Sequence, residues 1–330
     1  MSELVDGHDA VLFDLDGVIY LGPEPIPAAP ATVAGLRERG IGVAFVTNNA
    51  ARATSVVAQQ LQGMGIDATA HDVVSSAEAV TALVVTHLGA GAKVLLVGTS
   101  NLDDLARERG LVPVESAQDG PDAVIQGYDP HVAWSRLEEA CFAIQAGARW
   151  YAANPDLTRP TDRGLVPGLG AQIGVVATAV EGSPMMAGKP YPPLLEATVE
   201  RLGCRRPLFV GDRLDTDILG ARSQGMGSLF VLTGAHGVHD LLDAPQDRRP
   251  DHVGADLGAL LAPDHPVTLT DSTARCGRAE VDVVDGALCA AGIPADTEGQ
   301  LDLLRAILAL VWAGRAAPDH DLVGRLDQLH

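Results

Sequence analysis

Two aspartates one residue apart, Asp14 and Asp16, stand in the stretch V-L-F-D-L-D-G-V-I-Y, Val11 to Tyr20. The apolar residues Val11–Phe13 read as a buried strand, and Gly17 lets the backbone turn sharply after it. In a parallel α/β sheet ligands collect beyond the carboxyl ends of the strands, so both carboxylates belong to such a crevice. Carboxylates gathered there repel one another unless a divalent cation joins them, and Mg²⁺ takes carboxylate, carbonyl and water oxygens together with substrate phosphate. D-L-D-G equally suits a plain turn, because Asp and Gly are ordinary turn residues.

Further along, Leu208–Val210 reads as another buried strand, followed by G-D-R-L-D-T-D with Asp212, Asp215 and Asp217. Acids also favour a helix N-terminus, but Asp14 and Asp16 need partners across the same sheet edge. Between these acidic groups, the strand Val43–Val46 ends in Thr47, Asn48 and Asn49, and a helix starts at about Thr54. A hydroxyl and backbone N–H groups near a helix start make a phosphate cradle, or simply a cap. Lys189, in G-K-P, is a lone cation; a solvated surface group is the default reading of such a lysine.

These residues need elements to position them. The chain alternates strand and helix, with a helix over 31–39 closed by Gly40 and another over Ser76–His87. A second alternating unit starts near residue 90: strands at K-V-L-L-V-G, Ala123–Gln126 and Trp150–Ala153, with helices over Leu102–Glu108 and Val132–Ala146. The segment 161–170 reads as an exposed loop before a Gly/Ala-rich helix, Gly170–Ala179. This alternation predicts an α/β fold: a Rossmann-like doubly wound parallel sheet with an α/β unit inserted into it. Beyond it, Val281 and Val283 with Leu288 predict a short hairpin around Asp285-Gly286. The helix Leu301–Ala313 carries a stripe of Leu301, Leu304, Ile307, Leu308 and Val311, broad enough to need a partner. Packing on its own core is the favoured explanation, with a self-association surface or a degenerate remnant of another domain as the alternatives.

At 330 residues the chain is long enough for two or three compact units. It is 47% apolar and 20% charged with a net charge of −20, which argues against a nucleic-acid surface, since phosphate backbones need clustered Lys and Arg. The four cysteines, Cys141, Cys204, Cys276 and Cys289, form no C-x-x-C, so free thiols rather than a zinc site are expected. The acidic N-terminus has neither a basic n-region nor a long apolar h-region. No apolar run approaches the roughly 20 residues that span a bilayer. A cytoplasmic protein with no membrane partner is expected.

Taken in order, D-L-D-G-V, T-N-N, G-K-P and G-D-R-L-D-T-D resemble the four-motif signature of the haloacid dehalogenase superfamily of phosphotransferases, over about the first 260 residues. The G-Y-D, A-N-P-D and P-G-x-G segments are similar to the branch with phosphoglycolate, nitrophenyl and pyridoxal phosphate phosphatases. The resemblance implies a core over 1–82 and 185–262, an α/β cap over 83–184, and a C-terminal extension of unknown role over 263–330. It implies Asp14 as nucleophile and Asp16 as acid and base. Mg²⁺ would be held by Asp14, the backbone carbonyl of Asp16 and Asp212, with Asp217 acting through water. Thr47, the Asn48 backbone and Lys189 would take the phosphoryl oxygens, and Asp215 would be structural. Asn154 and Asp156, with Tyr128 and Asp129, are candidates for reaching the leaving group, though all four also suit strand-end turns.

Ala50 departs from the Ser that similar proteins often carry after T-N-N, which would cost a hydrogen bond in the phosphate loop. The resemblance implies a phosphatase for a small phosphate ester, and layouts of this kind point to glycerol 3-phosphate. Phosphoglycolate, pyridoxal phosphate and nucleoside monophosphates are the alternatives. A receiver-like phospho-aspartate signalling protein is the alternative of another class. Self-association through the cap or the extension is the remaining partner expectation.

Overall fold

All four residues of the strand Ala10–Phe13 are buried, as a strand covered on both faces of a parallel sheet must be. The computed structural model describes residues 3–161 and 163–329. The chain divides into two compact units, Met1–Val43 with Cys204–His330, and Ala44–Gly203. The boundary falls inside the strand Gly42–Thr47.

In the first unit, strands lie in the order His252–Gly254, Gly227–Val231, Pro207–Gly211 and Ala10–Phe13, all parallel. Phe13 lies beside Val210, so Asp14 and Asp212 leave the sheet from neighbouring strands at the same edge. The helices Ala29–Glu38, Leu219–Ser223 and Val238–Leu242 belong to the same unit.

The C-terminal extension belongs to this unit too. Its antiparallel sheet runs Thr268–Leu269, Thr273–Cys276, Ala279–Val284, Ala287–Ala290. Asp285 and Gly286 both have positive φ, 53° and 81°, as a tight Asp-Gly hairpin turn requires. The expected hairpin is thus half of a larger sheet. Its inner strand Thr273–Cys276 buries only the small side chains of Ala274 and Cys276, too weak an alternation to stand out in the sequence. Helix Thr297–Trp312 packs on this sheet, and its Leu301, Leu304, Ile307 and Leu308 are buried in the unit's own core.

In the second unit, Phe45–Thr47 pairs in parallel with Val73–Ser75. A five-stranded parallel sheet runs Met185–Met186, Arg149–Ala152, Ala123–Gln126, Lys93–Val97, Val112–Val114. Helices Ser76–Leu88, Ser100–Glu108, Trp134–Gln145, Leu169–Ala177 and Pro192–Leu202 alternate with these strands.

The expected loop at 161–170 is corrected. Thr158–Thr161 pairs antiparallel with Gly164–Pro167, and the next helix starts at Leu169. This two-stranded ribbon is largely exposed, Leu165 included, so it lacks the buried alternation that marks a strand. Asp162 lies outside the described residues. Among the described residues no helix is long and apolar enough to cross a membrane.

Candidate active site

Asp14 follows the Ala10–Phe13 strand, and its N–H donates to Val210 O at 2.9 Å, extending the ladder by one residue. Asp212 follows the neighbouring strand, and Asp217 lies within one π-type turn over Leu214–Ile218. In that turn the N–H of Ile218 reaches back five residues to Arg213 O at 3.1 Å; wide turns of this kind cluster at functional sites. One carboxylate oxygen from each of Asp14, Asp212 and Asp217 lies within 4.8 Å of the others. Asp212 and Asp217 are buried, each 1% exposed, and Asp14 is half-buried.

Glycines make room for these carboxylates. Gly17 has φ +84°, and a Cβ there would sit 2.5 Å from Asp212 Oδ2. A Cβ on Gly234 would collide with the same carboxylate, and one on Gly211 with that of Asp217. The loop after strand Gly227–Val231 then fastens Asp212. Ala235 N–H donates to its Oδ2 at 2.6 Å, and His236 N–H to its carbonyl at 3.2 Å. Thr233 Oγ1 donates to Gly17 O at 2.6 Å, and His236 Nδ1 accepts from Leu214 N at 3.0 Å. In the sequence, Thr233–His236 is marked only by a T-G at a strand's carboxyl end, which does not by itself show that this loop holds Asp212.

Asp215 is set apart from the other three. Arg213 grips it with Nε and Nη2 at 3.2 and 3.1 Å. Burial pushes its carboxyl up, but the Arg213 hydrogen bonds and charge, with His236 nearby, outweigh this and hold it below its ordinary value. Asp16 is exposed. The turn beneath it is fixed by Gly17 N–H to Tyr20 O at 2.8 Å and Ile19 N–H to Leu15 O at 2.9 Å.

Three converging carboxylates are an oxygen-only set, the donor chemistry of Mg²⁺ rather than of a soft metal. The glycines leave them the space to converge, so the residues fit that cation. A second group, His265, Glu298 and Asp302, lies in the extension. There Arg305 Nη1 stands 3.5 Å from Glu298 and 3.4 Å from Asp302, so a guanidinium already balances the acids.

In the second unit, Thr47 and Lys189 are buried, Lys189 to 2% exposure. Asn48 is the hub of this unit's polar network. Its Nδ2 donates to Lys189 O at 3.0 Å and to both Asp156 oxygens at 3.2 and 3.3 Å. Its Oδ1 accepts from Lys189 N at 2.8 Å. Asn154 Nδ2 and Ser76 Oγ donate to the Asn48 carbonyl, and Asn154 Oδ1 accepts from Asp156 N at 3.1 Å. Ala50 forgoes a hydroxyl, but Asn49 Oδ1 accepts from Ala51 N at 2.9 Å and Asn101 Nδ2 reaches Ala50 O at 3.2 Å.

Tyr128 and Asp129 engage other partners. Tyr128 accepts from Arg159 Nε at 2.9 Å, with that guanidinium 5.0 Å from its ring centre. The Asp129 carbonyl accepts from Gln172 at 2.6 Å and its side chain from His131 N at 2.8 Å.

Residues 11–112 match the family model described as haloacid dehalogenase-like hydrolase, and residues 186–260 match the HAD-hydrolase-like model. The chain is 41% identical to the D-glycerol 3-phosphate phosphatase of Mycobacterium tuberculosis, over 99% of this chain and 92% of that protein. The chain belongs to the haloacid dehalogenase-like hydrolases. An acid sugar phosphatase of Staphylococcus aureus is 36% identical over 71% of this chain and 90% of its own. Among solved structures, a glycerol phosphate phosphatase of Mycobacterium tuberculosis in complex with magnesium superposes with a TM-score of 0.85 at 39% identity, covering 100% of this chain and 99% of that one. A thermostable NPPase of Geobacillus stearothermophilus gives 0.70 at 31% identity, covering 76% and 97%. For a haloacid dehalogenase-like hydrolase, the parallel α/β sheet with acids at its carboxyl edge is the expected frame.

Proposed function

We propose that this hydrolase is a Mg²⁺-dependent phosphatase that cleaves a small phosphomonoester through an aspartyl-phosphate, and that its substrate is glycerol 3-phosphate. The observation that carries the hydrolytic reading is the convergence of Asp14, Asp212 and Asp217 within 4.8 Å at one sheet edge. The substrate rests on the 41% identity with the D-glycerol 3-phosphate phosphatase across 99% of the chain.

Asp14, Asp212 and the carbonyl of Asp16 would hold Mg²⁺, with Asp217 supporting them. When bound, the cation offsets the repulsion of these carboxylates and the negative charge of the phosphoryl group. An Asp14 oxygen attacks phosphorus, and the P–O bond to the glycerol oxygen breaks. Asp16, exposed beside it, gives its proton to the departing alkoxide. Asp16 then takes a proton from water, whose oxygen attacks the same phosphorus; inorganic phosphate leaves and the Asp14 carboxylate is restored. Thr47, the Asn48 N–H and Lys189 are assigned the phosphoryl oxygens, where fixed donors stabilise charge as it spreads.

In this reading residues 1–82 and 185–262 are the catalytic core, 83–184 the cap and 263–330 the extension. The net charge of −20 favours a small-molecule partner over nucleic acid, and a cytoplasmic location goes with that reading. Self-association through cap or extension is tested by sedimentation.

The test is phosphate release from glycerol 3-phosphate, phosphoglycolate, pyridoxal phosphate and UMP with and without Mg²⁺. A preference of about a hundredfold in kcat/KM for glycerol 3-phosphate, roughly 2.7 kcal/mol, is expected. Equal rates for all four would overturn the substrate. A stable phosphoprotein without release would overturn the phosphatase reading in favour of a receiver-like switch.

A further inference from the structure

The extension has no assigned role, yet its core is continuous with the loops that carry the candidate metal ligands. Leu214 and Ile218 sit at the two ends of the π-type turn and so bracket Asp215 and Asp217. Both are buried in one apolar cluster with Leu304 and Leu308 of the Thr297–Trp312 helix. That helix also grips the element after the Asp212 loop. Trp312 Nε1 donates to Leu241 O at 3.1 Å, inside the helix Val238–Leu242.

Arg249 holds the same tryptophan as well. Its Nη1 donates to Trp312 O at 2.9 Å, and its guanidinium stands 5.6 Å from the ring centre. The helix Val238–Leu242 begins directly after Gly237, and the two residues before Gly237 make the hydrogen bonds to Asp212 described above. Asp212 is therefore held by a segment whose following helix is bonded to Trp312, and Asp217 lies in a turn whose Leu214 and Ile218 share the apolar cluster of the extension.

We propose that the extension is a positioning element of the metal centre: through Trp312 and its apolar core it fixes the segments carrying Asp212 and Asp217, and so sets cation affinity. The inference rests on the metal-binding role proposed for those carboxylates. Outer residues that orient metal ligands commonly change affinity by about ten- to a hundredfold when altered. Small cations tolerate little ligand displacement, since Mg²⁺ demands near-ideal octahedral geometry.

The test is calorimetric titration of the metal-free full chain with Mg²⁺, with melting temperature recorded for each variant. Trp312→Ala removes both the N–H bond and the ring, and should weaken Mg²⁺ binding about tenfold or more. Trp312→Phe keeps the ring's bulk and should lose less. Asp212→Asn is the control and should abolish binding. If Asp212→Asn removes binding while both Trp312 variants bind like wild type, the extension is a merely structural appendage and the inference is overturned. If Asp212→Asn binds Mg²⁺ as well as wild type, the metal-centre reading itself fails. Should Trp312→Ala not fold, Trp312→Phe decides alone: weaker binding supports the inference, and unchanged binding overturns it.

Discussion

The side-chain amide of Asn48 holds the backbone of Lys189 twice, accepting from its N–H at 2.8 Å and donating to its carbonyl at 3.0 Å. An amide is one of the few side chains that can do both, because it carries a donor and an acceptor side by side. The lysine cannot shift along its chain without breaking both bonds, and Asp156 anchors the same amide nitrogen. Asn48→Ala should therefore lower kcat/KM by about a hundredfold, roughly 2.7 kcal/mol. Asn48→Asp, which keeps the acceptor and loses the donor, should not restore it. Steady-state kinetics at saturating Mg²⁺ check this, and near-normal turnover in either variant would contradict it.

A methyl group is enough to disturb the acidic cluster from the loop side. Gly234→Ala places a Cβ against the Asp212 carboxylate, whereas the space around Gly237 is open. Gly234→Ala should weaken Mg²⁺ binding about tenfold, as other changes behind metal ligands do, while Gly237→Ala should leave it unchanged. Titration of both variants separates crowding at the ligand from a general loss of loop flexibility.

The acid side of the stability profile has an identifiable contributor in Asp9. Its Oδ2 accepts from Arg205 N at 2.9 Å and its Oδ1 from Arg206 N at 2.8 Å. Burial pushes this carboxyl up, but the two N–H bonds and the Arg206 charge outweigh it and hold it below the ordinary 3.8. A carboxyl lowered in the folded state adds stability that is complete above its unfolded value and disappears as pH falls through its folded value. Asp9→Asn should thus lower the melting temperature at pH 7. The difference from wild type should shrink below about pH 4, where thermal melts would read it. A difference that stayed constant down to pH 2 would contradict the assignment.

Cysteine reactivity reports on the extension. Cys276 is 1% exposed, and burial with the neighbouring Asp302 charge pushes its thiol up to about 12. Since the thiolate is the nucleophile, Cys276 should resist alkylation at pH 8 in the folded chain, whereas exposed Cys289 should react. Mass spectrometry of labelled peptides, with and without denaturant, reads this directly. Labelling of Cys276 at the rate of Cys289 in the folded chain would show that the core of the extension is open.

Much of the frame was legible because chemistry-bearing residues directly follow short apolar strands. Val11–Phe13 before Asp14, Val43–Val46 before Thr47 and Leu208–Val210 before Asp212 are all buried as expected. What stayed hidden depends on partners distant in the chain. Nothing local marks Asn48 as the amide that would bracket Lys189, 141 residues later. Nor does the sequence around Trp312 reveal that its indole N–H ends on Leu241, 71 residues earlier. The ribbon 158–167 was missed for a different reason: its strands are exposed and leave no buried alternation to read.

In the proposed mechanism Asp14 carries the phosphoryl group during turnover. Rapid acid quench of the enzyme with Mg²⁺ and glycerol 3-phosphate, followed by peptide mass spectrometry, tests it most directly. One phosphoryl group is expected on the peptide containing Asp14. None is expected in Asp14→Asn, whose turnover should fall at least about a thousandfold, roughly 4 kcal/mol. Phosphate release with no label on that peptide, or near-normal turnover in Asp14→Asn, would contradict it.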